Sequence, residues 1–390
     1  MTPAPLAAHR HEERLFYLLL ALGVAVLLAG LGAAYSMEEQ GHVITGMNNQ
    51  VVWGLPHVFA IFMIVAASGV LNVASVGSVF GQSMYKQRAP LSALLCLTLL
   101  AGGIMVLMLD LGRPERLIVA ATHYNFRSVF AWNVLLYSGM AAIVAVYLWT
   151  MFERRFNRYT QAAGVAALVW RFVLTTGTGS IFGFLVARQA YQSALLAPMF
   201  IVLSLGWGLA VFMLVQSALL AWNGHALEDA VRRRLARLLG IFVAASLYLV
   251  AVYHLTNLYF ARQGEFEAFI LRDGGVYPLL FWAGYVLLGS ALPMGLLFHP
   301  RFASERATLA ASLLVLLGAF AWLYVFIIGG QAFPLDIFPG YQVSSSFGDG
   351  AVAGYRPSWP ELLLGVSGLA ATFVMTTVGV RVLDFLPREH

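Results

Sequence analysis

Long apolar runs separated by short polar segments recur along the whole chain. Ten of them reach the roughly 20 residues that a helix needs to cross the hydrocarbon core of a bilayer. They cover residues 15–35, 55–80, 91–111, 129–152, 162–187, 196–222, 238–260, 278–298, 308–331 and 360–382. The runs are continuous rather than alternating, which favours helices over the strands of a membrane β-barrel. We therefore predict an all-α polytopic membrane protein with about ten transmembrane helices.

The composition agrees with this pattern. Hydrophobic residues make up 60% of the chain and charged residues 11%, and the mean hydropathy is +0.79. Soluble domains carry about a quarter charged residues, so this chain has too few to cover a surface facing water. We expect a lipid bilayer around the protein. We expect no nucleic acid partner, because the basic residues lie in short segments between apolar runs.

The basic residues also predict an orientation. With a cytoplasmic N-terminus, 15 of the 23 Lys and Arg residues fall on the cytoplasmic side and 7 on the outer side, and Arg171 lies within a span. We therefore expect both termini in the cytoplasm, with a retained first helix, in the inner membrane of a bacterium or archaeon. The long loops 36–53, 112–128, 261–277 and 332–359 then face outwards, where a partner would dock.

Polar residues collect at the outer ends of successive spans. His57 begins the second span, Asp110 ends the third, Trp132 and Asn133 begin the fourth, and Thr178 lies in the outer half of the fifth. An imidazole beside a carboxylate is suited to accept protons from the two hydroxyls of a quinol. In such a site we expect Trp132 to form an apolar wall and Asn133 to orient the quinol as a donor. The alternative is that each residue only caps a helix or lies at the membrane interface.

A second polar set lies deeper in the membrane. Asn72 and Arg171 are both about 15 Å from the inner face, at a rise of 1.5 Å per residue. Arg171 has no acidic partner at its level, since Asp110 is the only acid that we find near any span. A water-filled proton path from the inner side would satisfy the guanidinium, and so would an arginine that joins two helices through backbone carbonyls.

Bound redox centres are not expected in this protein. The single cysteine, Cys96, excludes cysteine-ligated iron–sulfur clusters and CxxCH haem attachment. A bis-histidine haem would need His57 and His254, which lie in different halves, and His254 is accompanied by Asn257 near the outer end of the seventh span. No two histidines or carboxylates share a helical face, so no metal site is predicted. If the protein does redox chemistry, its electrons must leave through a partner.

Four segments carry a family resemblance: NNQVVWGLPHVFAIF, LDLGRPERL, RSVFAWNVLLYSG and TGTGSIFGFLVARQAYQSALLAPMF. They are similar to the NrfD/PsrC family of quinone-reactive membrane subunits, and most similar to its DsrP branch, from DsrMKJOP complexes of sulfur metabolism. The resemblance implies a menaquinol or ubiquinol site in the first of two four-helix bundles. His57 and Asp110 match the family's histidine and acidic residue. Asn133 matches less closely. Some members place a tyrosine on the fifth span, but residues 172–187 contain none, so either a threonine or serine replaces it or the site differs in detail.

The resemblance also implies the surroundings of the protein. It predicts a periplasmic ferredoxin-like subunit with [4Fe–4S] clusters, and a complex with a haem b membrane subunit and a multihaem cytochrome c. We expect a single membrane domain, residues 1–390. It divides into a first helix and outer loop (15–53), a bundle with the quinol site (54–195), a second bundle (196–331), and an outer loop with the last helix (332–390).

Two other functions remain open from the sequence. A proton-coupled secondary transporter of a small anion or sulfur compound would have broken helices at corresponding points of the two halves and charges near the midplane. The glycine-rich fifth span and Arg171 fit that function only loosely, because the main polar set lies at one surface. A purely structural membrane anchor would need His57 and Asp110 for assembly alone.

Overall fold

The computed structural model describes residues 10–302, 304–335 and 350–383. Ten helices in these ranges are long and apolar enough to cross a membrane, and we number them α1 to α10. They are Glu13–Gln40, Leu55–Ser78, Met84–Leu109, Val129–Phe152, Asn157–Gly183, Leu196–Trp222, Asp229–Tyr259, Val276–Phe298, Glu305–Ala332 and Trp359–Val382. The described residues contain no strand. The prediction of an all-α polytopic membrane protein is confirmed.

The helix ends differ from the apolar runs where charge or turns intervene. Helix α7 begins at Asp229, nine residues before the predicted run, because charged side chains do not interrupt backbone hydrogen bonding. The Arg232 Nη2–Asp229 Oδ1 pair, at 2.7 Å, lies in this added turn. Helix α5 ends at Gly183, four residues early, and residues 184–195 follow as turns and irregular segments. Residues 336–349 of the fourth predicted outer loop lie outside the described residues.

The helices pack as two rings of four. Each of α2, α3, α4 and α5 packs on the next, and α5 returns to α2; α6, α7, α8 and α9 close in the same way. Helix α2 also packs on α6 and α9, and α5 packs on α6, which joins the rings. Helix α10 lies on α2 and α3, and α1 lies on α10. Both flanking helices therefore accompany the first ring.

Glycines allow the two rings to meet backbone to backbone. A Cβ atom on Gly69 of α2 would lie 1.6 Å from the carbonyl oxygen of Ser204 on α6. On the opposite helix, a Cβ on Gly208 would lie 2.1 Å from the backbone nitrogen of Val70. Small residues permit such close approach of membrane helices, and no other residue fits here without moving one helix.

Two helices contain π-helical turns. Residues Leu280–Ala291 of α8 and Tyr324–Gly329 of α9 adopt this wider turn. Short helices also occur in the loops, at Leu117–Thr122 between α3 and α4 and at Gly264–Ala268 between α7 and α8. The end of the bundle at which α2 begins is called the His57 face below. It contains most of the polar residues singled out from the sequence.

Candidate functional site

An imidazole and a carboxylate form a close pair at the His57 face. Helix α2 begins after Gly54, with Pro56 in its first turn, and this start presents His57 one residue later. Helix α3 ends at Leu109, so that Asp110 is its C-cap. The His57 Nδ1–Asp110 Oδ2 distance is 2.7 Å, and the two side chains are 13% and 1% exposed. The structure thus brings together two residues that the sequence placed at one depth.

The pair fixes which imidazole nitrogen is available. When Asp110 is ionised it can only accept hydrogen bonds, so Nδ1 of His57 then carries the proton that lies towards Asp110. In the neutral ring, Nε2 then presents a lone pair. A histidine in this tautomer can accept a proton, while the carboxylate stabilises the imidazolium that forms.

The turn after α3 keeps Asp110 in place. Gly112 has a φ of +70°, a conformation that favours glycine. A Cβ atom there would lie 3.0 Å from Cε1 of His42, whose Nε2 donates to the carbonyl oxygen of Asp110 at 3.2 Å. Sequence reasoning missed His42, because it lies in the segment between α1 and α2, where no long apolar run marks it.

Two buried acceptor atoms in this region have no donor. Oδ1 of Asp110 and Oδ1 of Asn133 are both buried and lack a hydrogen-bond partner among the described residues. Leaving such an atom unsatisfied costs about 1–3 kcal/mol, so native proteins rarely do it without a ligand or water to supply the donor. Both atoms therefore point to a molecule that brings hydroxyl or N–H groups.

An indole covers the imidazole. The ring of Trp53 stacks on His57 with a centroid distance of 5.9 Å and an interplanar angle of 22°. It also contacts the rings of Phe130 on α4, at 6.2 Å, and Phe182 on α5, at 5.7 Å. Trp132, which we expected to be the apolar wall, is 38% exposed, and its Nε1 donates to the carbonyl of Phe126. The indole beside His57 is that of Trp53.

A tyrosine from α4 meets the threonine that we singled out on α5. Thr178 is fully buried and donates to the carbonyl of Leu174 at 3.0 Å. Its side chain is also hydrogen-bonded to Tyr137, a buried residue one turn after Asn133. Thr178 is thus paired with a phenol from a neighbouring helix, although residues 172–187 of α5 contain no tyrosine.

The aromatic contacts connect these groups. Asn133 lies three residues after Phe130 on α4, and Thr178 lies four residues before Phe182 on α5, so each shares a helix face with a ring that touches Trp53. The imidazole, carboxylate, amide, phenol and hydroxyl therefore belong to one region of the first ring, with Trp53 at its centre.

The two deeper polar residues bond to neighbouring carbonyls of α2. Nδ2 of Asn72 donates to the carbonyl of Gly69 at 2.5 Å, and Nη1 of Arg171 donates to the carbonyl of Ser68 at 3.4 Å. Arg171 is 3% exposed, its guanidinium lies 4.2 Å from the ring centroid of Phe172, and its Nε has no partner among the described residues. One long hydrogen bond to a carbonyl leaves most of its donors unmatched.

The second ring contains another imidazole–carboxylate pair. His254 Nδ1 lies 2.7 Å from Oε2 of Glu267, and Nδ2 of Asn257 donates to Oε1 at 2.8 Å. Because both oxygens of Glu267 have donors, this pair needs no further ligand. The expectation that Asp110 is the only acid near a span was wrong: Glu267 and Glu361 are both fully buried, since the loop helix Gly264–Ala268 and the first turn of α10 fold inward.

Comparisons with known proteins identify the family of this sequence. The sequence profile of the family described as polysulphide reductase, NrfD, matches residues 43–335. The Hdr-like menaquinol oxidoreductase integral membrane subunit of Archaeoglobus fulgidus is 28% identical, over 96% of this sequence and 94% of its own length. The protein NrfD of Escherichia coli is 25% identical, over 72% of this sequence and 95% of its own length.

A third relative extends over nearly the whole sequence. The menaquinone reductase integral membrane subunit of Nitratidesulfovibrio vulgaris is 21% identical, over 92% of this sequence and 89% of its own length. The family profile covers three quarters of the sequence, including α2 to α9 and the polar residues of the His57 face. The resemblance found in the sequence is confirmed at the level of the family. The protein belongs to the NrfD polysulphide reductase family.

Proposed function

We propose that this protein is the quinone-reactive membrane subunit of a respiratory complex and that it oxidises menaquinol or ubiquinol, or reduces the quinone, at the His57 face. The observation that carries the proposal is the His57–Asp110 pair, together with two buried acceptors of the first ring that lack donors among the described residues, Oδ1 of Asp110 itself and Oδ1 of Asn133. A quinol brings two hydroxyl groups. Two of the relatives are named for menaquinol oxidation or menaquinone reduction, which supports a quinone as the substrate.

The proposed chemistry follows from the atoms that are available. One quinol hydroxyl donates to Nε2 of His57, which takes its proton while Asp110 stabilises the imidazolium. Once the imidazolium has released the first proton to water at this face, the second hydroxyl, which is oriented by Oδ1 of Asn133, gives its proton to Asp110. Oδ1 of Asp110 has no other donor among the described residues. The quinol loses two protons and two electrons and becomes the quinone. In the reverse direction the same groups return the protons.

Apolar side chains complete the proposed site. Trp53, Phe130 and Phe182 offer ring faces to a planar quinone head group, in the offset or edge geometries that aromatic rings prefer. Tyr137 and Thr178, which bond to each other, provide a hydroxyl pair close by. If these two hydroxyls replace their mutual hydrogen bond by bonds to the ligand, they favour a ligand with hydrogen-bonding oxygens.

We further propose the surroundings of this site. The electrons pass to a periplasmic ferredoxin-like subunit with [4Fe–4S] clusters that docks on the outer loops, in a sulfur-metabolism complex of the DsrP type that also contains a haem b membrane subunit and a multihaem cytochrome c. The excess of Lys and Arg on one side supports an inner-membrane protein with both termini in the cytoplasm. A proton path through Asn72 and Arg171 would draw on the unmatched donors of that guanidinium.

The test is quinol-dependent reduction of the partner's clusters in membranes that contain the assembled complex. His57→Ala should abolish this reduction while the complex still assembles. His254→Ala is the matched control, because it removes an imidazole from the other buried imidazole–carboxylate pair. Equal loss in both variants, or full activity in His57→Ala, would contradict the proposal. Uptake of a labelled small anion by proteoliposomes of this protein alone would instead favour a transporter.

A further inference from the structure

We infer that Gln331, a residue of the second ring, is a positioning residue for the quinol site of the first ring: it fixes the backbone of Trp53 so that the indole covers His57. The inference rests on the proposed function and adds a role for α9. It concerns the Trp53 loop, which we define as residues 48–54, immediately before α2.

The amide of Gln331 uses all of its hydrogen-bonding capacity. Its Oε1 accepts from the backbone N–H groups of Val52 and Trp53, both at 3.0 Å. Its Nε2 donates to the carbonyls of Trp53, at 3.0 Å, and of Ile327, at 2.8 Å. Gln331 is fully buried. A primary amide has two donors and two acceptor sites. Three of the four bonds of Gln331 are therefore made to the backbone of the Trp53 loop.

The shape of α9 brings this side chain to the loop. The π-helical turn Tyr324–Gly329 comes directly before Gln331. One additional residue in a turn rotates everything that follows by about 100° around the helix axis, relative to a regular α-helix. π-Turns are rare in proteins, and those that occur are often found at functional sites. A role for Gln331, the residue that this turn redirects, is therefore the more specific interpretation.

Further bonds join the same two segments. Arg188 donates through Nη1 to the carbonyl of Gln331, at 3.0 Å, and through Nη2 to the carbonyl of Gln50, at 2.7 Å. Gln50 in turn donates through Nε2 to the carbonyl of Ala332, at 2.9 Å. Burial lowers the pKa of the Arg188 guanidinium, but an arginine stays protonated at any physiological pH. The Trp53 loop is thus tied to the end of α9 on both sides of Val52.

The Trp53 ring also contacts a tyrosine that is bonded to the same part of α9. Tyr191 lies 6.5 Å from the Trp53 ring, and its hydroxyl donates to the carbonyl of Ile327, at 2.9 Å. Gln331 donates to that same carbonyl. The start of α2 has no side-chain cap of its own, since Gly54 is its N-cap. The N–H of Leu55 donates to the hydroxyl of Tyr355 at 2.7 Å, but the N–H and carbonyl of Trp53 itself both bond to Gln331. The position of Trp53 therefore depends on this contact from the second ring.

The experiment compares Gln331→Leu with Gln216→Leu in the assembled complex. Gln216 is a matched control, because it is a buried amide of the second ring whose Oε1 has no partner among the described residues. Two quantities are measured: hydrogen–deuterium exchange of the Val52 and Trp53 amides, and the KM and kcat for menaquinol. Gln331→Glu is the conservative variant, since a protonated glutamic acid retains one acceptor and one donor.

We expect Gln331→Leu to speed exchange of both amides and to raise KM about tenfold, with kcat within about threefold, because loss of a preformed site lowers the binding-competent fraction. Gln216→Leu should change neither quantity, and Gln331→Glu should fall between. Faster exchange with an unchanged KM would overturn the inference and leave the proposed function intact. An unchanged exchange rate would overturn it too. If the wild-type complex neither oxidises menaquinol or ubiquinol nor reduces either quinone, the proposed function itself is refuted.

Discussion

Replacing Asp110 with asparagine tests the proton chemistry most sharply, because it retains shape and removes charge. The carboxylate lies 2.7 Å from Nδ1 of His57 and its side chain is 1% exposed. An amide at this place can donate to Nδ1, which moves the imidazole proton to Nε2. That nitrogen then faces the quinol as a donor and cannot accept its proton.

The size of the effect follows from two contributions. A hydrogen bond to a charged group contributes about 1.5–3 kcal/mol, so loss of imidazolium stabilisation alone slows the step by roughly 10–150-fold. The wrong tautomer adds to this; the same change in the serine protease triad costs about 10⁴ in kcat. We expect kcat for menaquinol in Asp110→Asn to fall by about 10²–10⁴-fold.

The assay is menaquinol-dependent reduction of the partner's clusters by the assembled complex, with subunit content measured in the same membranes. Glu267→Gln is the matched control, because it makes the same carboxylate-to-amide change in the His254 pair. We expect that control to retain wild-type turnover where the complex assembles. Full turnover in Asp110→Asn, with normal assembly, would refute the role of the carboxylate and the reasoning from the tautomer.

Three further predictions concern the residues around the site. Arg188→Lys keeps the charge but cannot reach both carbonyls that the guanidinium bridges, so KM for menaquinol should rise a few-fold in a quinol titration. Glu361 accepts hydrogen bonds from the hydroxyl of Tyr355 and from two backbone N–H groups. Burial and Glu361 itself raise the pKa of Tyr355, so its phenol stays protonated and donates. Glu361→Gln turns one acceptor into a donor and should lower the free energy of unfolding by about 1–3 kcal/mol, seen as a lower Tm. Gly112→Ala should lose more turnover than Gly81→Ala. The backbone φ is nearly the same at Gly112 (+70°) and Gly81 (+69°), but of the two only Gly112 would place a Cβ atom against a side chain, that of His42.

The helices and the central pair follow from local properties of the sequence. Apolar runs of sufficient length predict membrane helices wherever the backbone must satisfy its own hydrogen bonds. The depth of His57 and Asp110 follows from counting residues along α2 and α3, because a helix rises by a fixed distance per residue. That these two side chains lie close enough to bond depends only on the packing of two consecutive helices.

Other parts of the site depend on contacts that no local pattern shows. Gln331 faces the Trp53 loop after a π-helical turn, which a period of 3.6 residues does not predict. Glu267 is buried because a loop helix folds back against α7, and loop composition gave no sign of it. Tyr137 reaches Thr178 from a neighbouring helix, so a search along α5 alone could not find it.

Photolabelling with an azidoquinone, followed by mapping of the labelled peptides, tests the central claim most directly. The assembled complex is labelled in its own membrane with and without excess menaquinone. We predict label that menaquinone competes away in peptides containing Trp53–His57 and residues 130–137, and loss of that label in His57→Ala. Competed label confined to the second ring, around His254, would contradict a quinone site at the His57 face.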